Sequence, residues 1–155
     1  MFLCIDNKTY KPNSIIFSQK IKNNVLSNGY FYKMYYSDSY FTSNGFLFLF
    51  DLLDVSVENY FNRIKCTFCK NKNKEILYFI KKLEQKIISD FNFNYNLKPV
   101  FRIDDQLRNE YIKIFSDNKI QKGKLKKLNI LLKISGIWTS DKECGLTFRF
   151  LVNNN

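Results

Sequence analysis

The sequence predicts a mostly β, α+β domain: a small antiparallel barrel with one inserted amphipathic helix. Three observations predict it. Short runs of β-branched and aromatic residues, separated by Asn, Ser and Gly turn chemistry, fill most of the chain. Only one segment switches to an apolar repeat of three and four residues. Strands with so few helices cannot supply the crossovers of a doubly wound parallel sheet.

The first strand is expected over residues 14–21, carried by Ile15, Ile16, Phe17 and Ile21 and closed by the turn Ser27-Asn28-Gly29. Residues 30–36 are almost wholly aromatic, and a turn at Ser43-Asn44-Gly45 opens the run 46–53. Residues 60–68 alternate: Tyr60, Asn62, Ile64, Cys66 and Phe68 on one face, Phe61, Arg63, Lys65 and Thr67 on the other. Over 75–88 the period changes, with Ile76, Phe79, Ile80, Leu83 and Ile87 on one helical face and Lys81, Lys82, Glu84, Gln85 and Lys86 on the other. An Asn-rich loop (Asn92, Asn94, Asn96) returns the chain to strands at 99–103, 110–116, 128–138 and 146–152. Leu128, Ile130, Leu132 and Ile134 share a face, as do Leu146, Phe148 and Phe150. Five or more strands with a helix plugging one end describe an OB-fold-like barrel, a scaffold whose open face takes single-stranded nucleic acid. No repeat, linker or long low-complexity tract divides residues 1–155, so one domain is expected.

With 155 residues and 45% hydrophobic content, the chain can bury a core and is not a disordered tail. It holds 25 Lys plus Arg against 14 Asp plus Glu, a formal charge of +11. Such an excess gains free energy by displacing counterions from a polyanion. The competing origin is an AT-rich genome, which enriches Lys, Asn, Ile, Phe and Tyr without selection for binding. The sequence has no His, which excludes Ser-His-Asp and Cys-His nucleophiles, HExxH zinc sites and imidazole proton shuttles. Neither G-x-x-x-x-G-K-[ST] nor G-x-G-x-x-G occurs, so nucleotide hydrolysis has no motif. Asp51/Asp54 and Asp104-Asp105 are the only acids that suggest a metal-dependent nuclease, and they rank third among the functional readings. No enzyme activity and no cofactor are expected.

Cys66 and Cys69 form a C-x-x-C, half of a zinc site. With no second pair and no His, only Cys4 and Cys144 could complete it, and buried free thiols are the favoured reading. The stretch Met1-Phe2-Leu3-Cys4-Ile5, broken by Asp6, is too short for a secretory signal, and no run is long enough to span a bilayer. A reducing intracellular compartment and no membrane partner are expected.

The sharpest functional signal is aromatic residues mixed with cations on outward strand faces. Phe61, Arg63 and Lys65 supply it on one strand and Tyr111, Lys113 and Phe115 on a later one, with Phe31, Lys33 and Tyr35 as candidates on an earlier strand whose two faces are both aromatic. Rings accept unstacked bases while cations follow the phosphates. The alternative is a second hydrophobic face covered by the helix or by another chain. A lysine cluster, Lys119, Lys122, Lys124, Lys126 and Lys127 around Gly123, reads as a phosphate-contacting loop or as a solvated one.

The C-terminal third carries a resemblance. Gly123-Lys124-Leu125, the strand ending in Gly136-Ile137-Trp138, a polar turn, and Cys144-Gly145-Leu146-Thr147-Phe148-Arg149-Phe150 resemble the closing hairpin of single-stranded-DNA-binding proteins of phages and large eukaryotic DNA viruses. The helix with Leu83-Glu84-Gln85-Lys86-Ile87 is similar to that family's inserted helix. The resemblance implies an OB-fold that coats single strands during viral replication, recombination or repair at a host cytoplasmic or nuclear site. It implies no catalytic residues, turn or bulge roles for Gly136 and Gly145, and Trp138 in the core. Relatives often carry an acidic recruiting tail, whereas this sequence ends Asn153-Asn154-Asn155, so tail-mediated recruitment is not expected. The expected partner is single-stranded DNA, with RNA as the alternative strand, contacted by Phe31, Lys33, Tyr35, Phe61, Arg63, Lys65, Tyr111, Lys113, Lys122, Lys124, Lys126 and Arg149. The rival class is a structural protein whose exposed aromatics form a homo-oligomer interface.

Overall fold

The β-branched and aromatic runs pair into one extended sheet. The computed structural model describes residues 4–6, 8–23, 25, 28–115 and 120–153. Its strands are β1 (Cys4–Ile5), β2 (Ile15–Lys22), β3 (Tyr30–Ser37), β4 (Thr42–Asn44), β5 (Phe46–Tyr60), β6 (Arg63–Thr67), β7 (Lys98–Val100), β8 (Tyr111–Ile114), β9 (Gly123–Thr139) and β10 (Glu143–Val152). Two helices lie between them, α1 (Lys74–Asn92) and α2 (Arg102–Arg108).

Five strands close into a barrel. β5 pairs with β6, β6 with β8, β8 with β10, β10 with β9, and β9 returns to β5. Around the ring, these strands follow the order first, second, third, fifth, fourth, a Greek-key closure of the OB-fold-like kind. Every seam is antiparallel except β8–β10, where Phe150 lies beside Ile114 in parallel. Outside the ring, β3 continues from the far end of β9 and carries β2 and β4 with it.

The alternation of β5 explains the core. Phe46, Phe48, Phe50 and Leu52 point inward against Ile130, Leu132 and Ile134 of β9, Phe150 of β10 and Ile112 and Ile114 of β8. α1 covers this core with Ile80, Leu83, Ile87, Ile88 and Phe91. Phe79 stacks on Phe48 with centroids 5.2 Å apart, and Phe91 meets Tyr32 edge-on at 4.7 Å. The helix therefore joins the barrel to the β2–β3 hairpin.

At Leu53-Asp54 the buried parity of β5 shifts, so that Val55 and Val57 are buried. Asp54 takes a left-handed φ of 51°, and opposite it the inward residue of β9 changes from Leu128 to Leu125. Buried Asn73 anchors the kink: Leu53 N–H donates to its Oδ1 at 2.8 Å, and its Nδ2 donates to the Leu53 carbonyl at 3.1 Å and that of Cys69 at 2.9 Å.

Five sequence expectations need correction. The described residues form two α-helices, not one, because 102–108 forms α2 where strand residues 99–103 were expected. Glu84, 1% exposed, starts that helix: Ile103 N–H donates to its Oε1 at 3.0 Å and Asp104 N–H to its Oε2 at 2.8 Å. Glu84 was read on the solvated face of α1. Residues 60–68 are not one strand, since β5 runs on to Tyr60 and turns at Phe61-Asn62 into β6. Thr42–Asn44 is a short strand rather than a turn. Lys124, Lys126 and Lys127 lie on β9, not in a loop, because the backbone of β9 pairs with β5 from residue 123 onward. Lys119, Ser27 and Ser116 lie outside the described residues.

Candidate nucleic-acid interface

β6 and β8 present alternating side chains to the interior and the surface. Cys66, Ile112 and Ile114 are buried, which leaves Arg63, Lys65 and Thr67 on β6 and Tyr111 and Lys113 on β8 facing out. The register sets Lys65 directly opposite Lys113 and Thr67 opposite Tyr111. Like charges opposed in this way destabilise a sheet. Rings offset part of that repulsion. The Lys65 ammonium is 5.5 Å from the centroid of Tyr60 and 5.2 Å from Tyr111, and that of Lys113 is 5.1 Å and 5.8 Å from the same two rings. The Arg63 guanidinium stacks over Phe115 at 4.0 Å. Such contacts contribute about 0.5–1 kcal/mol each at exposed sites. Among the described residues, Arg63, Lys65, Lys113 and Arg149 form no ion pair, whereas Lys72, Lys86, Lys98, Arg108 and Lys127 each hold a carboxylate.

The packing behind this face fixes it. Lys113 N–H donates to Gln106 Oε1 of α2 at 3.2 Å, so the helix started by Glu84 also positions β8. Burial pushes the Glu84 carboxyl up to about 7, against two backbone N–H groups that favour its charged form. At the hairpin tip Phe61 is 90% exposed and takes a left-handed φ of 53°, at the loop position where glycine is the usual occupant. Its ring meets Tyr60 edge-on at 4.9 Å. A bulky residue at positive φ is uncommon and carries steric strain.

Arg149 extends the face. Phe150 lies beside Ile114 in the parallel seam, which sets Arg149 beside Lys113 one residue back along both strands. Arg149 is in turn opposite Lys133 of β9. Lys65, Lys113, Arg149 and Lys133 therefore stand on four successive strands, all with outward parity. A register shift between Thr147 and Phe148 then turns Gly136 outward, opposite Thr147. The ring of Phe31 lies over Gly136, where a Cβ would meet Phe31 Cζ at 2.6 Å and the Tyr32 carbonyl oxygen at 2.2 Å. Lys33 pairs with Gly136 across the β3–β9 seam. Gly145 is likewise pressed against Trp138, whose ring would stand 2.8 Å from a Cβ there, and Trp138 is buried.

Of the residues singled out from the sequence, Phe61, Arg63, Lys65, Tyr111, Lys113 and Arg149 therefore share one surface, and Phe31 and Lys33 border it. Tyr35 stands farther along β3, opposite Ile16 and bridged to Gly45. Lys124 and Lys126 line a different cleft, with Lys72 and Asp54 at the β5–β9 kink, and Lys122 is exposed just before β9. Sequence reasoning missed Tyr60 and Lys133. Tyr60 was assigned inward because the turn at Phe61-Asn62, which reverses its face, lacks Gly or Pro. The alternation of Leu132 and Ile134 already marks Lys133 as outward.

Three of the four acids considered for a nuclease hold cations or amides instead. Asp51 accepts from Asn129 Nδ2 at 2.6 Å and pairs with Lys127, Asp54 pairs with Lys72, and Asp105 with Arg108. Among the described residues no group of three His, Cys, Asp or Glu converges on a metal position. Cys66 and Cys144 are buried, with burial pushing the Cys66 thiol up to about 12, but Cys69 is exposed, contrary to the expectation of buried thiols throughout. No helix among the described residues is long and apolar enough to cross a membrane. The chain matches no family model, no characterised protein and no solved structure. The viral likeness thus rests on the quoted C-terminal and helix residues alone.

Proposed function

We propose that the outer face of β6, β8 and β10 binds single-stranded DNA without sequence preference and without catalysis, in viral replication, recombination or repair. The observation that supports this reading is the row Lys65–Lys113–Arg149, three cations in register on neighbouring strands that form no ion pair among the described residues, with Glu58 opposite Lys65 at one end of the row, and interleaved with Tyr60, Tyr111 and Phe115. The face formed by the second and third barrel strands is where OB-folds take oligonucleotides, and the loop joining the first and second, here carrying Phe61, contributes too. Bases would stack on the rings at about 1–3 kcal/mol each, with the cations neutralising phosphates. The test is fluorescence anisotropy of labelled oligo-dT of about 30 nucleotides, longer than the roughly 4–16 that one OB-fold occupies, at two salt concentrations beside a matched duplex. Salt-dependent preference for the single strand is expected, and equal weak binding to both would reduce the face to non-specific attraction. An RNA strand of the same length decides between the two nucleic acids.

One observation favours the rival reading as an oligomer interface. β2 pairs only with β3 among the described strands, and its Ile16 is 53% exposed at that open edge. Salt-insensitive self-association in sedimentation, with no preference for single strands, would support it.

A further inference from the structure

Resting on that reading, we infer that the binding track is longer than one barrel face. It crosses β10 and β9 to a second nucleotide station in the cleft between β9 and the β3–β4 hairpin, outside the barrel. This cleft, about 220 Å³, is lined by Phe31, Lys33, Asn44, Lys133 and Ser135. It repeats the chemistry of the β6–β8 face: two cations beside an aromatic ring, with amide and hydroxyl groups able to meet a base edge. Phe31 forms its wall toward a neighbouring cleft of about 340 Å³ that also takes in Arg102, Trp138 and Thr147.

Three features join the stations. Arg149 stands between Lys113 and Lys133, so the positive row is unbroken from β6 to β9. Strands about 4.8 Å apart set Lys65 and Lys133 roughly 14 Å from each other along the sheet, a span that several nucleotides cover. Gly136 seats the Phe31 ring on β9 beside Lys33, since any side chain there would collide with that ring. The nucleic acid therefore runs across the β-strands, and each protein carries two aromatic–cation stations rather than one.

The test compares oligo-dT of about 3 nucleotides, too short to span the roughly 14 Å between stations at about 3.4 Å per stacked nucleotide, and of about 30 nucleotides on the wild-type protein, on Lys33→Gln/Lys133→Gln, and on Lys33→Gln alone in case the double variant misfolds by circular dichroism. The short strand engages the β6–β8 station, so its affinity stays within about twofold in the variants. The long strand loses affinity on the order of tenfold at about 0.1 M salt in the double variant, and its salt slope falls by about 1.4, the value for two lost phosphate contacts on a single strand. The single variant shows about half that change in slope. Equal losses for both lengths, or no change for either while Arg63→Glu/Lys65→Glu still weakens binding, would overturn the second station and leave the proposed function intact. A wild-type protein that binds neither strand would overturn both.

Discussion

Two regions of this barrel are equally basic and differ in what the charge meets. At the β5–β9 kink, Lys72, Lys124, Lys126 and Lys127 gather around Asp51 and Asp54, and two of the four lysines are ion-paired. The cleft there is lined by Val55, Ser56 and Leu125 besides the charged groups, with no ring. On the β6–β8–β10 face, Arg63, Lys65, Lys113 and Arg149 form no ion pair among the described residues, Glu58 standing opposite Lys65 without closing one, and they lie among Tyr60, Tyr111 and Phe115. A cation already ion-paired with a carboxylate has little left to gain from a phosphate, whereas a row of four cations with one unbonded acid at its edge gains more. The count of +11 therefore says less than its pairing.

The most direct way to break this contrast is to reverse two charges in each region. Arg63→Glu/Lys65→Glu is expected to weaken oligo-dT binding on the order of 1000-fold, through two lost phosphate contacts and two new repulsions, with an unchanged circular dichroism spectrum. Lys72→Glu/Lys127→Glu alters the net charge equally and is expected to weaken binding less than about tenfold, the share that long-range screening leaves. Comparable losses from the two variants would mean that overall charge, not the face, attracts the strand.

A third charge, Glu84, is buried rather than surface-paired, and it sharpens the contrast through stability. Its carboxyl sits at about 7 in the folded protein, above the ordinary value of 4.5, because burial disfavours the charge more than two N–H donors favour it. The folded state thus binds more protons than the unfolded one between these values. Stability from this group is fully present below about pH 4.5 and is lost as pH rises through about 7, on the order of 3 kcal/mol in total. Urea unfolding of wild type and Glu84→Gln checks it. The stability difference in favour of wild type should shrink as pH rises from 4.5 to 7, and a constant difference would mean that Glu84 stays ionised throughout.

How much of this was legible in the sequence follows from the range of each interaction. β8 and β10 alternate apolar with polar residues and fix their own faces, so Tyr111, Lys113 and Arg149 were placed outward from spacing, whereas aromatics on both faces of β3 left Lys33 a candidate only. α1 announces itself through Ile76, Ile80, Leu83 and Ile87. α2 could not, because seven residues hold too little periodicity and its start depends on Glu84, eighteen residues upstream of Arg102. Tyr60 was misplaced because a Phe-Asn turn carries no conventional signal, and the lysines of β9 looked like a loop because strand pairing with β5 overrides their weak β-propensity. The meeting of Lys65, Lys113, Arg149 and Lys133 is a fact of register between strands far apart in the chain, which one sequence does not contain.

The smallest expected effect tests whether Phe61 belongs to the unneutralised face for function or for folding. A phenylalanine at φ 53° carries a steric cost of about 1–2 kcal/mol that glycine avoids. Glycine gives back about 0.5–1 kcal/mol in unfolded-chain entropy and loses the edge contact with Tyr60. Phe61→Gly is therefore expected to leave the urea midpoint unchanged or raise stability by up to about 1 kcal/mol. If the exposed ring stacks on a base, the same variant loses about 1–3 kcal/mol of binding, roughly 5- to 150-fold in affinity. Opposite signs in one variant are what a residue kept for binding at the expense of the fold produces. A fall in stability with unchanged affinity would instead make Phe61 part of the hairpin's own packing and take the tip of the β5–β6 turn out of the interface.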